Sequence, residues 1–187
     1  MYQDRLFTYK QNSPFQSPRE KKELCLLLLW QWAWTIFCSW TPKPLNSWRL
    51  IWLKLFGCKL SGSPFVHPRA RIEVPWNLTL HHRSCLGDGA NVYSLGEIEL
   101  RARCTVAQES YLCSGTHQFS DANLPLQVGK IIIGEDAFLG ARTFIMPGIT
   151  IGDGAVIGAC SVVTKDMPAW TICYGHPCAP VKPRIMK

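Results

Sequence analysis

The stretch IGEDAFLGARTFIMPGITIGDGAVIGACSVVT, residues 133–164, decides the fold. Ile133, Leu139, Ile145, Ile151, Ile157 and Val163 recur every six residues, and Gly134, Gly140, Gly152 and Gly158 each directly follow one of them. Four residues after an aliphatic stands Ala137, Thr143, Ile149, Ala155 or Ser161, mostly small. A helix requires a period of about 3.6 and a half-buried strand a period of about two. A strict six matches neither. It fits a chain that runs a short strand, turns a corner and repeats, with one aliphatic per side pointing inward. Three sides close one coil, and coils stack at the strand spacing of about 4.8 Å. Glycine after the aliphatic is expected to serve the corner, where a Cβ would strain the turn.

Outward from this stretch the period weakens. Towards the N-terminus, Ser61-Gly62-Ser63-Pro64 reads as a linker and the repeats begin with Val66 and Ile72. Pro75-Trp76-Asn77-Leu78 breaks the period, and Leu80, Leu86 and Val92 resume it in a new phase. After Tyr93-Ser94-Leu95-Gly96 the phase moves again, to Leu100, Val106 and Leu112. Between His117 and Ile131 the repeat is absent, which predicts an external loop over 117–131, the kind of segment that carries function. The tail from Cys173, with Pro177, Pro180 and Pro183, cannot be a helix or a central strand and is expected to lie extended along the outside.

The chain is expected to divide into a polar segment 1–23, a hydrophobic helical extension 24–60, a repeat domain 61–172 and the tail 173–187. From Leu24 to Trp40 only Gln31, Thr35 and Ser39 interrupt the apolar residues, and Trp40-Thr41-Pro42-Lys43-Pro44 stops the helix. Trp48, Ile51, Trp52 and Leu55 then recur at helical spacing, with Arg49 and Lys54 between them. Three placements stay open: packing on the repeat domain, lying on a membrane surface through residues 24–56, or one transmembrane helix at the short end of the usual range. A signal peptide would lie nearer the N-terminus and end in small residues.

Net charge is +7, which suits an anionic partner such as a phosphate-bearing ligand, an acidic lipid surface or nucleic acid, or serves solubility alone. The basic residues are scattered without a nucleic-acid-binding motif, so no nucleic acid is expected. Nine cysteines form no CxxC pair, and most occupy repeat positions where a small side chain is buried. A reduced, cytoplasmic protein without a zinc cluster follows, with attachment to the inner face of the cytoplasmic membrane left open.

Residues 151–168, with Gly175-His176-Pro177-Cys178, resemble the closing coils of hexapeptide-repeat acyltransferases. Ser47-Trp48-Arg49, Leu55-Phe56-Gly57-Cys58, the Pro-Trp-Asn-Leu and Tyr-Ser-Leu-Gly tetrads and Leu112-Cys113-Ser114-Gly115-Thr116-His117 are similar to the colanic-acid-type exopolysaccharide acetyltransferases within that group. The resemblance covers residues 24–187. It implies a left-handed parallel β-helix, a homotrimer with three sites between neighbouring subunits, acetyl-CoA as co-substrate, no metal, and a sugar or lipid-linked saccharide as acceptor.

It also implies the site. His117 is the candidate general base: a sugar hydroxyl is a poor nucleophile at neutral pH, and a neutral imidazole takes its proton as it attacks the thioester. Relatives often carry Asp after this histidine, where this chain has Gln118; Asp121, Glu109 or a backbone carbonyl are the candidates to orient the ring instead. Ala141 matches the position whose backbone N–H serves the oxyanion. Phe138 stands where relatives carry Trp against the pantetheine arm. Gly140, Ala159, Thr164 and Lys165 match positions around the CoA arm and phosphates, and Lys182 and Arg184 are candidates for the 3′-phosphate. Tyr93, Ser94 and Asp121 are acceptor candidates. A cysteine nucleophile is the covalent alternative, with Cys113 nearest but at a turn position.

Rival readings are transfer to another small hydroxyl, N-acetylation of an amino sugar, and a catalytically silent scaffold. The γ-class carbonic anhydrases share this fold and hold zinc with three histidines. His81 and His117 are 36 residues apart, but the third ligand would fall at Ala122.

Overall fold

The computed structural model describes residues 3–13 and 17–186. Short parallel strands stack into a solenoid of about six coils with three faces. The first face holds Lys59–Leu60, Leu78–Leu80, Ile98–Leu100, Ile131–Ile133 and Thr150–Ile151. The second holds Phe65–Val66, Cys85–Leu86, Thr105–Val106, Phe138–Leu139, Val156–Ile157 and Thr171–Gly175. The third holds Arg71–Ile72, Asn91–Tyr93, Tyr111–Cys113, Phe144–Ile145 and Val162–Val163.

Each face contributes one aliphatic column to the core. Leu60, Leu80, Leu100, Ile133 and Ile151 are in register on the first face. Val66, Leu86, Val106, Leu139, Ile157 and Cys173 line up on the second, and Ile72, Val92, Leu112, Ile145 and Val163 on the third. All but Leu60 are buried. The six-residue period is thus one inward side chain per side, as the sequence predicts.

The glycines act differently from the expectation. Positive φ falls three residues after the aliphatic, at Arg83, Arg103, Glu109, Asp136, Arg142 and Cys160, whereas Gly134 and Gly140 have no positive φ. A Cβ at Gly134 would lie 2.6 Å from the backbone N of Asp153, and one at Gly140 2.6 Å from that of Ala159. Close approach of the next coil, rather than the turn, demands glycine there.

The lost phase also has a structural cause. Between the third and first faces, Ile145 to Ile151 spans six residues, but Ile72 to Leu80 and Val92 to Leu100 each span eight. The two additional residues fall at the same corner in consecutive coils, at the 3₁₀ turn Pro75–Asn77 and at Tyr93-Ser94-Leu95-Gly96. The non-repeating segment after Cys113 leaves from this corner too. It is a hairpin: Gly115–His117 pairs antiparallel with Leu126–Gly129, and Leu6–Thr8 adds a third antiparallel strand.

Ser61–Pro64 is not a linker. Leu60 pairs with Leu80, so the first coil begins at Lys59 and Ser61–Pro64 is its first corner. At the other end the solenoid runs to Gly175, and Cys178–Pro183 folds back on Thr171–Gly175 as an outer antiparallel strand, where proline is tolerated.

Two helices close the N-terminal end: α1 (Lys21–Phe37) starts earlier than residue 24, and α2 spans Asn46–Leu55. They satisfy the open edge of the first coil with side chains. The indoles of Trp30 and Trp34 donate to the carbonyls of Ile72 (2.7 Å) and Ala70 (3.1 Å). Asn46 accepts the Val66 N–H (3.0 Å) and donates to Pro64 (2.8 Å). Arg49 is fully buried; its guanidinium donates to the carbonyls of Val66 (2.8 Å), Pro42 (2.9 Å) and Lys43 (2.9 Å) and to the Thr41 hydroxyl (2.8 Å). Carbonyls rather than a carboxylate hold this charge, and burial lowers the Arg49 pKa. Among the described residues no helix is long and apolar enough to cross a membrane, and α1 packs on the first coil through Trp30 and Trp34, the first of the three placements.

Candidate active site

The lengthened corner builds the site. Its successive coils are tied by side-chain hydroxyls and an amide. Asn77 donates to the carbonyls of Ser94 (3.0 Å) and Leu95 (2.9 Å), and Ser114 donates to the Tyr93 carbonyl (2.8 Å) while accepting the Gly96 N–H (2.9 Å). These bonds fix Tyr93 and the root of the hairpin against each other.

His117 ends the first hairpin strand with an exposed ring. Its Nδ1 lies 2.7 Å from the carbonyl oxygen of Leu124. A carbonyl only accepts, so Nδ1 must carry the proton, and in the neutral ring Nε2 is left as an acceptor. Leu124 presents that carbonyl from a left-handed backbone (φ 47°) uncommon for a branched side chain. The turn that holds it is bonded throughout: Leu124 N–H to Asp121 (2.9 Å), Gln118 N–H to Pro125 (3.0 Å) and Asn123 N–H to the Asp121 carboxylate (2.8 Å). From the N-terminal segment, Gln11 donates to the Asn123 carbonyl (2.8 Å) and Tyr9 N–H to Leu126 (2.9 Å).

The ring borders two cavities. One, of about 580 Å³, is lined by Glu73, Tyr93, Leu95, Leu124 and Leu126, with Gln11, Ser17, Pro18, Arg19 and Leu24 closing it from the N-terminal side. The other, of about 350 Å³, is lined by Leu6, Thr116, Gln118, Phe119, Ser120, Gln127 and Met146. Burial raises the Tyr93 pKa, with Glu73 adding to the effect, so its hydroxyl stays protonated as a donor into the first cavity.

Of the residues considered to orient His117, neither carboxylate does. Asp121 spends a carboxylate oxygen on its own turn, and Glu109 pairs with Arg142 (2.6 Å) at another corner. The backbone carbonyl has the role. Ser94 is buried with its hydroxyl on the Val74 backbone (2.8 Å and 3.0 Å), so it does not line the cavity as expected of an acceptor contact. Cys113 closes a strand rather than a turn, its thiol donates to the Gly115 carbonyl (3.2 Å), and burial raises its pKa. Burial pushes Cys38 and Cys173 up to about 11 and Cys58 and Cys104 up to about 12. None of these is a thiolate at neutral pH. His81 sits 3.4 Å from Glu99, and among the described residues no group of three or more His, Cys, Asp or Glu is placed to hold a metal.

The family model "Bacterial transferase hexapeptide (six repeats)" matches residues 130–165. Over 158 residues the chain is 40% identical to "Putative colanic acid biosynthesis acetyltransferase WcaF" of Escherichia coli strain K12, a match covering 84% of this chain and 86% of the relative. The chain belongs to the hexapeptide-repeat acetyltransferases. Among solved structures, a maltose O-acetyltransferase from Clostridium difficile 630 superposes with a TM-score of 0.76 at 24% identity, over 89% of this chain and 90% of that one. A galactoside acetyltransferase in complex with coenzyme A gives 0.81 at 21% identity, over 90% and 86%. These two share the fold.

The residues that this family resemblance assigns to acetyl-CoA fall elsewhere on the solenoid. Phe138 is 43% exposed on the second face. Gly140, Ala141 and Ala159 form the corner between the second and third faces, where the Ala141 carbonyl accepts the Cys160 N–H (2.9 Å). Thr164 and Lys165 lie at the corner between third and first faces, two coils beyond His117, with Lys165 exposed. Lys182 is exposed on the tail strand. Arg184 is committed to the fold, with one guanidinium nitrogen on the Asp136 and Gly154 carbonyls (2.9 Å each) and the head 5.9 Å over the Trp170 ring. One chain therefore carries the imidazole on one corner and most of the proposed CoA contacts on another.

Sequence reading missed Glu73 and the N-terminal residues of the larger cavity. No local motif marks them: they reach it through the corner register and the antiparallel pairing of Leu6–Thr8.

Proposed function

We propose that the chain moves an acetyl group from acetyl-CoA to a sugar hydroxyl in exopolysaccharide assembly, with His117 as general base. The observation that carries this reading is the 2.7 Å bond from Nδ1 to the Leu124 carbonyl, which leaves Nε2 free to accept a proton between the two cavities. The acceptor hydroxyl gives its proton to Nε2 as its oxygen attacks the thioester carbonyl, and the tetrahedral intermediate expels the CoA thiolate, which recovers that proton. The Ala141 N–H is the oxyanion donor in this reading. Phe138 offers an aromatic face to the pantetheine arm, Ala159 and Thr164 leave it room, Gly140 lets Ala159 sit close against its coil, and Lys165 and Lys182 meet phosphates. Arg184 supports the tail that carries Lys182.

A homotrimer supplies the missing juxtaposition, since the His117 corner of one subunit must meet the second-face corner of its neighbour. The name of the 40% identical relative supports the exopolysaccharide setting. Tyr93 is the acceptor-side donor we assign, ahead of Asp121, which is engaged in its turn.

The test is CoA release from acetyl-CoA against a panel of sugars and saccharide-lipid intermediates. His117→Ala is expected to lower kcat/KM by about 10²–10⁴-fold. Equal rates for variant and parent on every O-acceptor would end the general-base assignment. A fall confined to hydroxyl acceptors, with amino sugars unaffected, would separate O- from N-transfer.

A further inference from the structure

The helical cap has a second face that the fold leaves unpartnered. In α1 the buried stripe is Leu27, Trp30 and Trp34, and the opposite stripe is apolar as well: Leu28, Leu29, Trp32 and Ile36 are 57%, 62%, 66% and 49% exposed. In α2, Ile51 and Leu55 continue this surface at 60% and 71% exposure. An exposed apolar surface of this extent marks an interaction site rather than ordinary solvent-facing residues.

Charge identifies the partner. Residues 1–60 hold nine lysines and arginines against three acids, a net +6 of the chain's +7. Lys21, Lys22, Lys43 and Lys54 are exposed on the two helices or between them. Tryptophan and leucine on one side with lysine at the margins is the pattern of a helix lying in a membrane interface. A second copy of the chain on the same face would bring these lysines against their own equivalents. An anionic lipid surface neutralises them.

We infer that the outward face of α1 and α2 seats the chain on an anionic lipid surface, with the His117 cavity opening at its margin. The link to the cavity is Leu24, which lines it and sits one turn before Leu28 on the exposed stripe. Resting on the acetyl-transfer reading, this makes the acceptor a saccharide carried on a lipid: the sugar enters beside Tyr93 and His117 while its lipid stays in the bilayer.

The experiment is flotation of the full chain with vesicles of phosphatidylcholine alone or with about one third phosphatidylglycerol. The chain is expected to float with the anionic vesicles and about tenfold less with the neutral ones. Trp32→Glu/Ile36→Glu/Ile51→Glu is expected to abolish flotation while keeping oligomeric mass and CoA release with a water-soluble sugar. Lys21→Glu/Lys22→Glu, at positions that precede Leu28 and Leu29 by two turns on the same face, is expected to weaken flotation while leaving every apolar residue of the stripe in place. A parent chain left at the bottom of the gradient with anionic vesicles overturns the inference. So does a triple variant whose oligomeric mass falls, because the face would then be a subunit contact. Loss of CoA release with every saccharide, flotation intact, would instead count against the acetyl-transfer reading alone.

Discussion

The coils of residues 59–113 and those of residues 131–175 use the same three aliphatic columns but divide the work. From the third face to the first, the later coils step by six residues, as at Ile145 to Ile151, and glycine lets adjacent backbones touch. The earlier coils step by eight at that one corner, and the additional residues build the wall of a cavity around Tyr93 and His117. Regularity provides packing and, in the proposed reading, the corner that takes acetyl-CoA; departure from it, always at the same corner, provides the imidazole and its cavity. A solenoid can afford this because each coil contacts only its neighbours, so a lengthened corner disturbs one edge and leaves three columns intact.

The sharpest way to break this contrast is at the cap of the irregular half. Arg49→Ala takes the guanidinium donor from the Val66 and Lys43 carbonyls, while the Pro42 carbonyl keeps the Leu45 N–H and the Thr41 hydroxyl keeps the Cys38 carbonyl; the loss is about 4 kcal/mol at 1–3 kcal/mol per unsatisfied group. Thermal unfolding is expected about 8–16 °C lower. An unchanged melting temperature would show that the first coil needs no plug. Next comes the junction between the halves. Leu124→Pro forces φ to about −65° and removes the N–H that bonds Asp121, so the carbonyl holding His117 is lost. We expect kcat/KM to fall about 10²-fold, equivalent to roughly 2.7 kcal/mol, whereas Leu124→Gly, which tolerates positive φ, should stay within about threefold. Similar rates for the two would remove the carbonyl from the account.

In the regular half, Gly134→Val drives a branched side chain into the Asp153 backbone and is expected to destabilise by about 1–3 kcal/mol. Turnover per folded molecule should be unchanged, and a large fall in it would contradict the division of labour. The smallest effect is expected from His67, in a corner of the first coil. Burial lowers its pKa, with Asp88 opposing. The unfolded state then binds the proton first as pH falls, so this contribution to stability is present above about 6.5 and is lost as pH drops through that value towards the lowered folded pKa. Between pH 7.5 and 5.5 the parent should lose about 2 °C or less more than His67→Gln, measured side by side. The reverse ordering would mean that Asp88 outweighs burial.

The same contrast explains what was legible beforehand. The fold could be read from residues 133–163 because each inward side chain there is separated by one six-residue side. Residues 66–112 obey the same geometry, but two additional residues per coil shift the phase, and a shifted period reads as no period. His117 was singled out by the family resemblance, at the point where the repeat stops. Its partner was not, because any residue at position 124 has a carbonyl, and only the backbone turn decides where it points. Glycine was legible by position but misread by cause: the constraint comes from the neighbouring coil, which sequence spacing does not contain. The cap donors Trp30, Trp34 and Arg49 look like a greasy helix and a stray cation until the edge they satisfy is in view.

That cap sets the length of the molecule. A strand added to the first coil would satisfy its edge and present a new one, so the structure would always have room for another layer. An indole or guanidinium satisfies a carbonyl of that edge and presents nothing to extend. Residues before 59 are in this sense a terminator, and a chain deprived of them would be left with the sticky rim from which end-to-end filaments grow.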